Sequence, residues 1–275
     1  MCIMTREELL ATFEQSAAAV LELCVALTDE QWNAPTPCPG WSVADVVAHL
    51  IDLESWGAGD PRPVIEIDWS SLPHIKNAVG RVTEVGVVAR RGMPPAQLLS
   101  EYRSVMMRRV AQFSGITGNV PSPFGGDIPV EQSLSMRILD TWVHEQDIRD
   151  AIGQPGGLTT SGALVTGYML LGGLPKAWGK KVAPPVGSTL RLTVTGPGLI
   201  ADQTVVIAED GRAQLVSGDY ESGEPTVHLM MPWLAFFQAA SGRVDVSSPQ
   251  WRESVSIVGP ADLVDSTLVA LNSVP

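Results

Sequence analysis

The apolar positions in the first half of the chain recur at helical spacing. Residues 5–27 carry Leu9, Leu10, Phe13, Val20, Leu21 and Cys24 at intervals that put them on one face, as in a helix packed on a core. A loop rich in proline follows at 35–40, and Ser42 then stands where a helix N-terminus needs a hydroxyl cap, with Asp45 three residues on giving a weaker capping box. That helix is expected to run to about Trp56. The same periodicity predicts helices over 75–90, 95–113 and 130–152, the last ended by Gly153 and Pro155, and another over 161–178 softened by Gly172 and Gly173. Together these make a four-helix bundle with an extra helix or two.

The pattern changes at 182–187, where VAPPVG reads as a linker. Beyond it, runs at 189–195, 203–208, 213–216 and 255–258 are strand-like, interleaved with helices over 232–240 and 261–271. The expected fold class is therefore two-domain α+β, with a helical bundle over 1–184 and a small α+β domain over 185–275.

Composition narrows the function classes. With 45% hydrophobic and 17% charged residues the chain of 275 residues is globular and long enough to bury a sizeable core. A net charge of -12 speaks against nucleic acid and anionic membrane surfaces as partners, because both are bound through clusters of Lys and Arg. Polar residues from Thr5 to Glu8 interrupt any leader-like run, and no segment has the length of a membrane span, so a soluble, cytoplasmic protein is expected. Cys2, Cys24 and Cys38 are odd in number and lack CxxC spacing, which suggests neither a disulfide framework nor a cysteine zinc site.

Two of the four histidines, His49 and His144, fall in predicted helices. At about 100° per residue, Ser133, Arg137, Asp140, His144 and Asp147 form one polar stripe, bordered by Met136 and Val143 on one side and Leu134 and Ile148 on the other. Such framing is expected when polar groups face into a bundle. Asp140 and His144 are four apart, so their side chains can converge on one point. His49, at the margin of the face made by Val43, Val46, Val47, Leu50 and Leu53, can supply a third ligand if the two helices are neighbours. Two histidines and a carboxylate suit zinc, manganese, iron or nickel, with a coordination position left open.

Two stretches, CPGWSVADVVAHL at 38–50 and RILDTWVHEQDIR at 137–149, resemble the two signatures of the mycothiol-dependent maleylpyruvate isomerase family. The resemblance implies a DinB-like metal-binding bundle followed by a small domain similar to sterol-carrier proteins. It implies a divalent ion, zinc foremost, on His49, Asp140 and His144, with Asp140 where the isomerases tend to have Glu. It further implies mycothiol, the sugar thiol of actinobacteria, as cofactor or co-substrate, and an electrophilic small molecule as its partner in a cis-trans isomerisation or a thiol transfer. The nucleophile would be that thiol and no residue of the chain. The alternative is a non-catalytic protein of stress response that binds a metal or thiol.

Asp147 is expected to support His144 through a hydrogen bond. Arg243 and Arg137 are candidates to meet a substrate carboxylate, although Arg137 can equally pair with Asp140. Cys38 reads as an inert loop thiol, His74 and His228 as structural or surface residues, and Trp41 as a packing residue at the start of its helix. Monomer and homodimer are both compatible with the sequence.

Overall fold

The computed structural model describes residues 4–122, 125–216 and 223–274, so Cys2 lies outside the described residues. The chain divides into two compact units, Met1–Gly157 and Leu158–Pro275.

The first unit holds α1 (Arg6–Val25), α2 (Asp29–Trp32), α3 (Val43–Gly57), α4 (Ala78–Val88), α5 (Pro95–Gly115), a hairpin of β1 (Asn119–Pro121) and β2 (Asp127–Pro129), and α6 (Val130–Ala151). Helix starts follow the local chemistry. Thr5 with Glu8, Thr28 with Gln31 and Ser42 with Asp45 each form a reciprocal capping box, and α5 begins at a proline, whose missing N–H costs nothing in the first turn.

Four long helices make the bundle, α1 packing on α5 and α6, and α3 on the same two, while α4 lies against the outside of α3. Phe13, Leu50, Leu98, Tyr102, Phe113, Leu134, Ile138 and Trp142 fill the interior, each side chain contributing about 1.5–3 kcal/mol by leaving water. Phe13 and Phe113 meet edge to face with centroids 5.7 Å apart, and the Tyr102 hydroxyl donates to the Ala17 carbonyl at 3.2 Å. Over residues 141–148 every position of α6 is buried, which makes it the central helix at that level.

The approach of α4 to α3 depends on Gly86. A Cβ there would stand 2.0 Å from Asp52 Cγ, and Asp52 is itself buried and paired with Arg62 and Arg90. An exposed helical Gly replaced by Ala usually gains about 1 kcal/mol. Here Gly86→Ala is expected instead to destabilise by about 1–3 kcal/mol, since the methyl must displace a buried carboxylate from its two arginines. Urea unfolding checks this, and a variant at least as stable as the parent would show that the two helices are not so close.

The second unit opens with α7 (Ser161–Gly172), α8 (Leu174–Lys176) and a π-helical turn over Ala177–Val182. It continues with β3 (Thr189–Thr195), β4 (Ala201–Ile207), β5 (Ala213–Val216), β6 (Val227–Pro232), α9 (Trp233–Ala240), α10 (Pro249–Arg252), β7 (Ser256–Val258) and α11 (Ala261–Leu271). The strands form one sheet in the order β5-β4-β3-β6-β7, antiparallel except where β3 runs parallel to β6. Alternation places Leu190, Leu192, Val194, Val205, Ile207, Val227, Leu229 and Met231 on the buried face.

The two-domain α+β class expected from sequence is what the chain adopts, but the units divide after Gly157, whereas the linker-like composition pointed to residue 184. The reason is the partner of the intervening helices. The α7 helix touches α9, α8 touches β5, and the π-helical turn packs on α11, so residues 158–184 bury their apolar faces within the second unit. Among the described residues no helix is long and apolar enough to cross a membrane.

Candidate metal centre

Two neighbouring helices of the first unit bring the predicted ligands together. His49 projects from the middle of α3, and Asp140 and His144 from successive turns of α6. Asp140 Oδ1 lies 3.6 Å from His49 Nε2 and 3.8 Å from His144 Nε2, and one ligand atom from each of the three falls within 4.8 Å of the others. Around a tetrahedral ion with bonds of about 2.0–2.1 Å, donor atoms stand roughly 3.3 Å apart, so these three need only a small inward movement to share one.

Burial and hydrogen bonding sharpen the picture. His49 is 3% exposed, and neither of its ring nitrogens has a hydrogen-bond partner among the described residues. Leaving such groups unsatisfied costs about 1–3 kcal/mol each, a penalty that an electrophile at Nε2 would offset. His144 is oriented differently: its Nδ1 lies 2.9 Å from Asp147 Oδ2, a geometry in which Nδ1–H donates to the carboxylate and Nε2 is turned toward Asp140. Asp140 is the most exposed of the three residues at 23% of its side chain, so the open side of the cluster lies there.

Arg137 meets Asp140 rather than open solvent. Its Nη2 donates to Asp140 Oδ2 at 2.9 Å and its Nε to the fully buried Glu54 at 2.5 Å. Glu54 in turn accepts from Arg109 Nε at 2.8 Å. One Asp140 oxygen is therefore occupied by a guanidinium while the other faces the two imidazoles. Arg243 belongs to the second unit, after α9, where its Nη1 donates to the Ser241 carbonyl at 2.7 Å. Its contact with a substrate carboxylate stays an expectation drawn from sequence.

The electrostatics follow from these contacts. Burial pushes the His49 pKa down, against the opposing pull of Asp140. For His144 burial acts in the same direction but is outweighed by Asp147, Cys38 and Asp140, which raise it to about 10 in the ion-free protein. Asp140 also resists burial: Arg137 beside it and the two imidazoles hold its carboxyl far below the usual carboxylate range.

Two residues read as bystanders in the sequence stand at the centre. The half-buried Cys38 has its Sγ 3.2 Å from Asp147 Oδ2 and within ligand distance of His144, so a histidine does adjoin it in space although none does in sequence. Trp41 packs its ring on both imidazoles, centroid to centroid 4.9 Å from His49 and 6.0 Å from His144. Both are held by a loop that folds on itself: Thr36 N–H and its hydroxyl donate to the Trp41 carbonyl, and Gly40 adopts a φ of 79° with its Cα against the His74 ring. The signal lay in the first signature, which runs unbroken from Cys38 to His49. Cys24, by contrast, is sealed in the core, where burial pushes its thiol up to about 12. His74 borders the buried Glu84, and His228 sits in β6 against Thr193, so neither belongs to the cluster.

Residues 13–149 match the profile of the mycothiol maleylpyruvate isomerase N-terminal domain. Two curated relatives, uncharacterized proteins from two strains of Mycobacterium tuberculosis, are each 26% identical over 136 residues, or 48% of this chain and 51% of theirs. The chain thus spans about half the length of the curated relatives it matches. Two crystal structures, of the mycothiol-dependent maleylpyruvate isomerase and of a histidine-to-alanine mutant of it, align with TM-scores of 0.53 and 0.55 at 15% and 14% identity. Each alignment covers 92% of this chain and 93% of the other, and at that identity the likeness is one of fold.

Proposed function

Since the chain belongs, through residues 13–149, to the mycothiol maleylpyruvate isomerase family, we propose that it is an enzyme that binds a divalent ion, zinc foremost, on His49, Asp140 and His144 and uses mycothiol to act on an electrophilic small molecule. The reaction is an isomerisation like that of maleylpyruvate, with thiol transfer to an electrophile as the variant chemistry of the same site. The observation that carries the reading is the buried His49, with two unpartnered nitrogens, facing Asp140 and His144 across a gap of ion-binding size.

A bound divalent cation would supply positive charge that favours the thiolate over the thiol at neutral pH. The chain's own residues do the rest. Asp147 holds the His144 ring so that Nε2 faces inward, and Arg137 occupies Asp140 Oδ2 so that Oδ1 is presented to the cluster. Trp41 and the buried faces of α3 and α6 keep water from the two imidazoles, and a thiol would arrive on the side of the exposed edge of Asp140.

Activity is tested by following maleylpyruvate isomerisation, and thiol consumption with a panel of electrophiles, in the presence of mycothiol and zinc. Turnover that needs both additions is expected. Stoichiometric ion and thiol binding without turnover on any electrophile would favour the non-catalytic binder, and a chain that takes up no ion would end the metal reading.

The protonation of His144 gives a further expected result. With its pKa raised to about 10, the ion-free imidazole carries a proton throughout the neutral range, and that proton must leave before Nε2 can bind a cation. The sign is therefore that affinity rises with pH, about tenfold per unit, and levels off above about 10. Calorimetry at pH 7 in buffers of different ionisation enthalpy should find about one proton released per ion bound. Binding without proton release would show that His144 is already neutral.

A further inference from the structure

His144 and His49 are held in different ways. The first has the carboxylate partner that commonly fixes the tautomer and orientation of a ligating histidine. His49 has none, on either nitrogen. A ring free of hydrogen bonds is still confined by packing, and the contacts that confine this one are aromatic. The Trp41 indole lies 4.9 Å from it at an interplanar angle of 42°, and the His144 ring meets it edge-on at 4.7 Å.

The indole is itself anchored. Trp41 Nε1–H donates to Glu84 Oε2 at 2.7 Å, and Glu84 on α4 is fully buried. The other Glu84 oxygen is paired with Arg91 at 2.8 Å, and His74 Nε2 stands 3.4 Å from Oε2. Desolvating a carboxylate is expensive unless it is paired and hydrogen-bonded, so a buried glutamate whose charge is balanced by Arg91 and whose free lone pair takes an indole N–H is a strong fixture. It ties α4 and the 35–42 loop to the ring that leans on His49. A tryptophan that only closed a helix start would need neither the buried carboxylate nor contact with both imidazoles.

We propose that Trp41, fixed by Glu84, is the positioning residue for His49: an indole wall takes the place of the missing hydrogen bond and sets the ring at the angle that points Nε2 toward Asp140 Oδ1. The proposal rests on the reading of His49 as an ion ligand, and it assigns to the loop before α3 a part in ion affinity that none of the three ligands provides.

The test uses the full chain, with zinc as the probe, by competition against a chromophoric chelator, and records histidine ring resonances of the ion-free protein. Trp41→Leu is expected to weaken zinc binding about 10- to 100-fold at unchanged stoichiometry, the range seen when a ligand loses its orienting partner. The His49 ring protons should at the same time lose the ring-current shift of the indole. Trp41→Phe, which keeps an aromatic wall but not the anchoring N–H, should recover part of the affinity, and it serves as the informative variant if Trp41→Leu does not fold. Zinc binding equal to the parent in both variants overturns the proposal and leaves the ion site standing. Weaker binding with unmoved His49 resonances also overturns it, because the effect would then be general packing. A parent chain that binds no zinc at all overturns the ion site and this proposal together.

Discussion

Replacing His49 with alanine is expected to take bound zinc from about one ion per chain to less than a tenth, because a three-ligand site that loses one nitrogen is left with too few protein donors to hold a tetrahedral ion. The effect on the ion-free protein should be small, and here two terms oppose each other. Deleting the imidazole opens a cavity at a position 3% exposed, which costs stability, but it also removes two buried nitrogens that have no partner, which returns about 1–3 kcal/mol for each. The melting temperature of ion-free His49→Ala should therefore stay within a few degrees of the parent. The difference appears on adding zinc. An ion present at a thousand times its dissociation constant stabilises the parent by about 4 kcal/mol and should do nothing for the variant. Elemental analysis of untagged protein together with thermal melts with and without zinc reads both effects. A variant that still carries one ion and still gains stability from it would place the metal somewhere other than between α3 and α6.

The convergence of His49, Asp140 and His144 was readable in the sequence because each part of it is local. Asp140 and His144 share a helix face at a spacing of four, and His49 sits at the margin of an apolar stripe, so periodicity aims all three inward. Spacing does not reveal Cys38 as part of the site, since its carboxylate partner is 109 positions away; its signal is its place at the head of the first signature. The same limit explains the domain boundary. Periodicity in residues 161–178 says that a helix buries one face, which it does, but not which neighbour it buries that face against. The interior strand β6, paired with β3 and β7, escapes the pattern for a different reason: it runs straight into α9 through Pro232, without the Gly or Asn punctuation that separates most strands from helices. Strands and helices bounded by clear turn residues, such as Thr189–Thr195, Ala213–Val216 and Ala261–Leu271, fall where the pattern put them.

Glu54 is the residue whose role is most distant from its appearance. In sequence it is one more acid near the end of a helix; in the fold it is fully buried and accepts from Arg109 on α5 and Arg137 on α6, linking three helices of the bundle through one carboxylate. Arg109 also donates to the Gly57 carbonyl at 2.7 Å and lies 4.2 Å over the Phe113 ring, and Arg137 goes on to hold Asp140. Removing the carboxylate leaves two guanidiniums in the interior with one negative partner fewer, and breaking a buried pair from one side costs about 3–5 kcal/mol. Glu54→Ala is accordingly expected to lower the melting temperature of the first unit by roughly 10 °C or more. Glu54→Gln, which keeps the shape and one acceptor but not the charge, should lose less. A second consequence follows from the chain of contacts. Without Glu54 the Arg137 guanidinium loses the bond at its Nε, Asp140 is held less firmly, and zinc affinity should fall although no ligand has been touched. Calorimetric melts and the chelator competition measure the two effects. A loss of less than about 1 kcal/mol would mean that the arginines find water or other acceptors when Glu54 is gone, and that the network around α6 is far less dry than its burial implies.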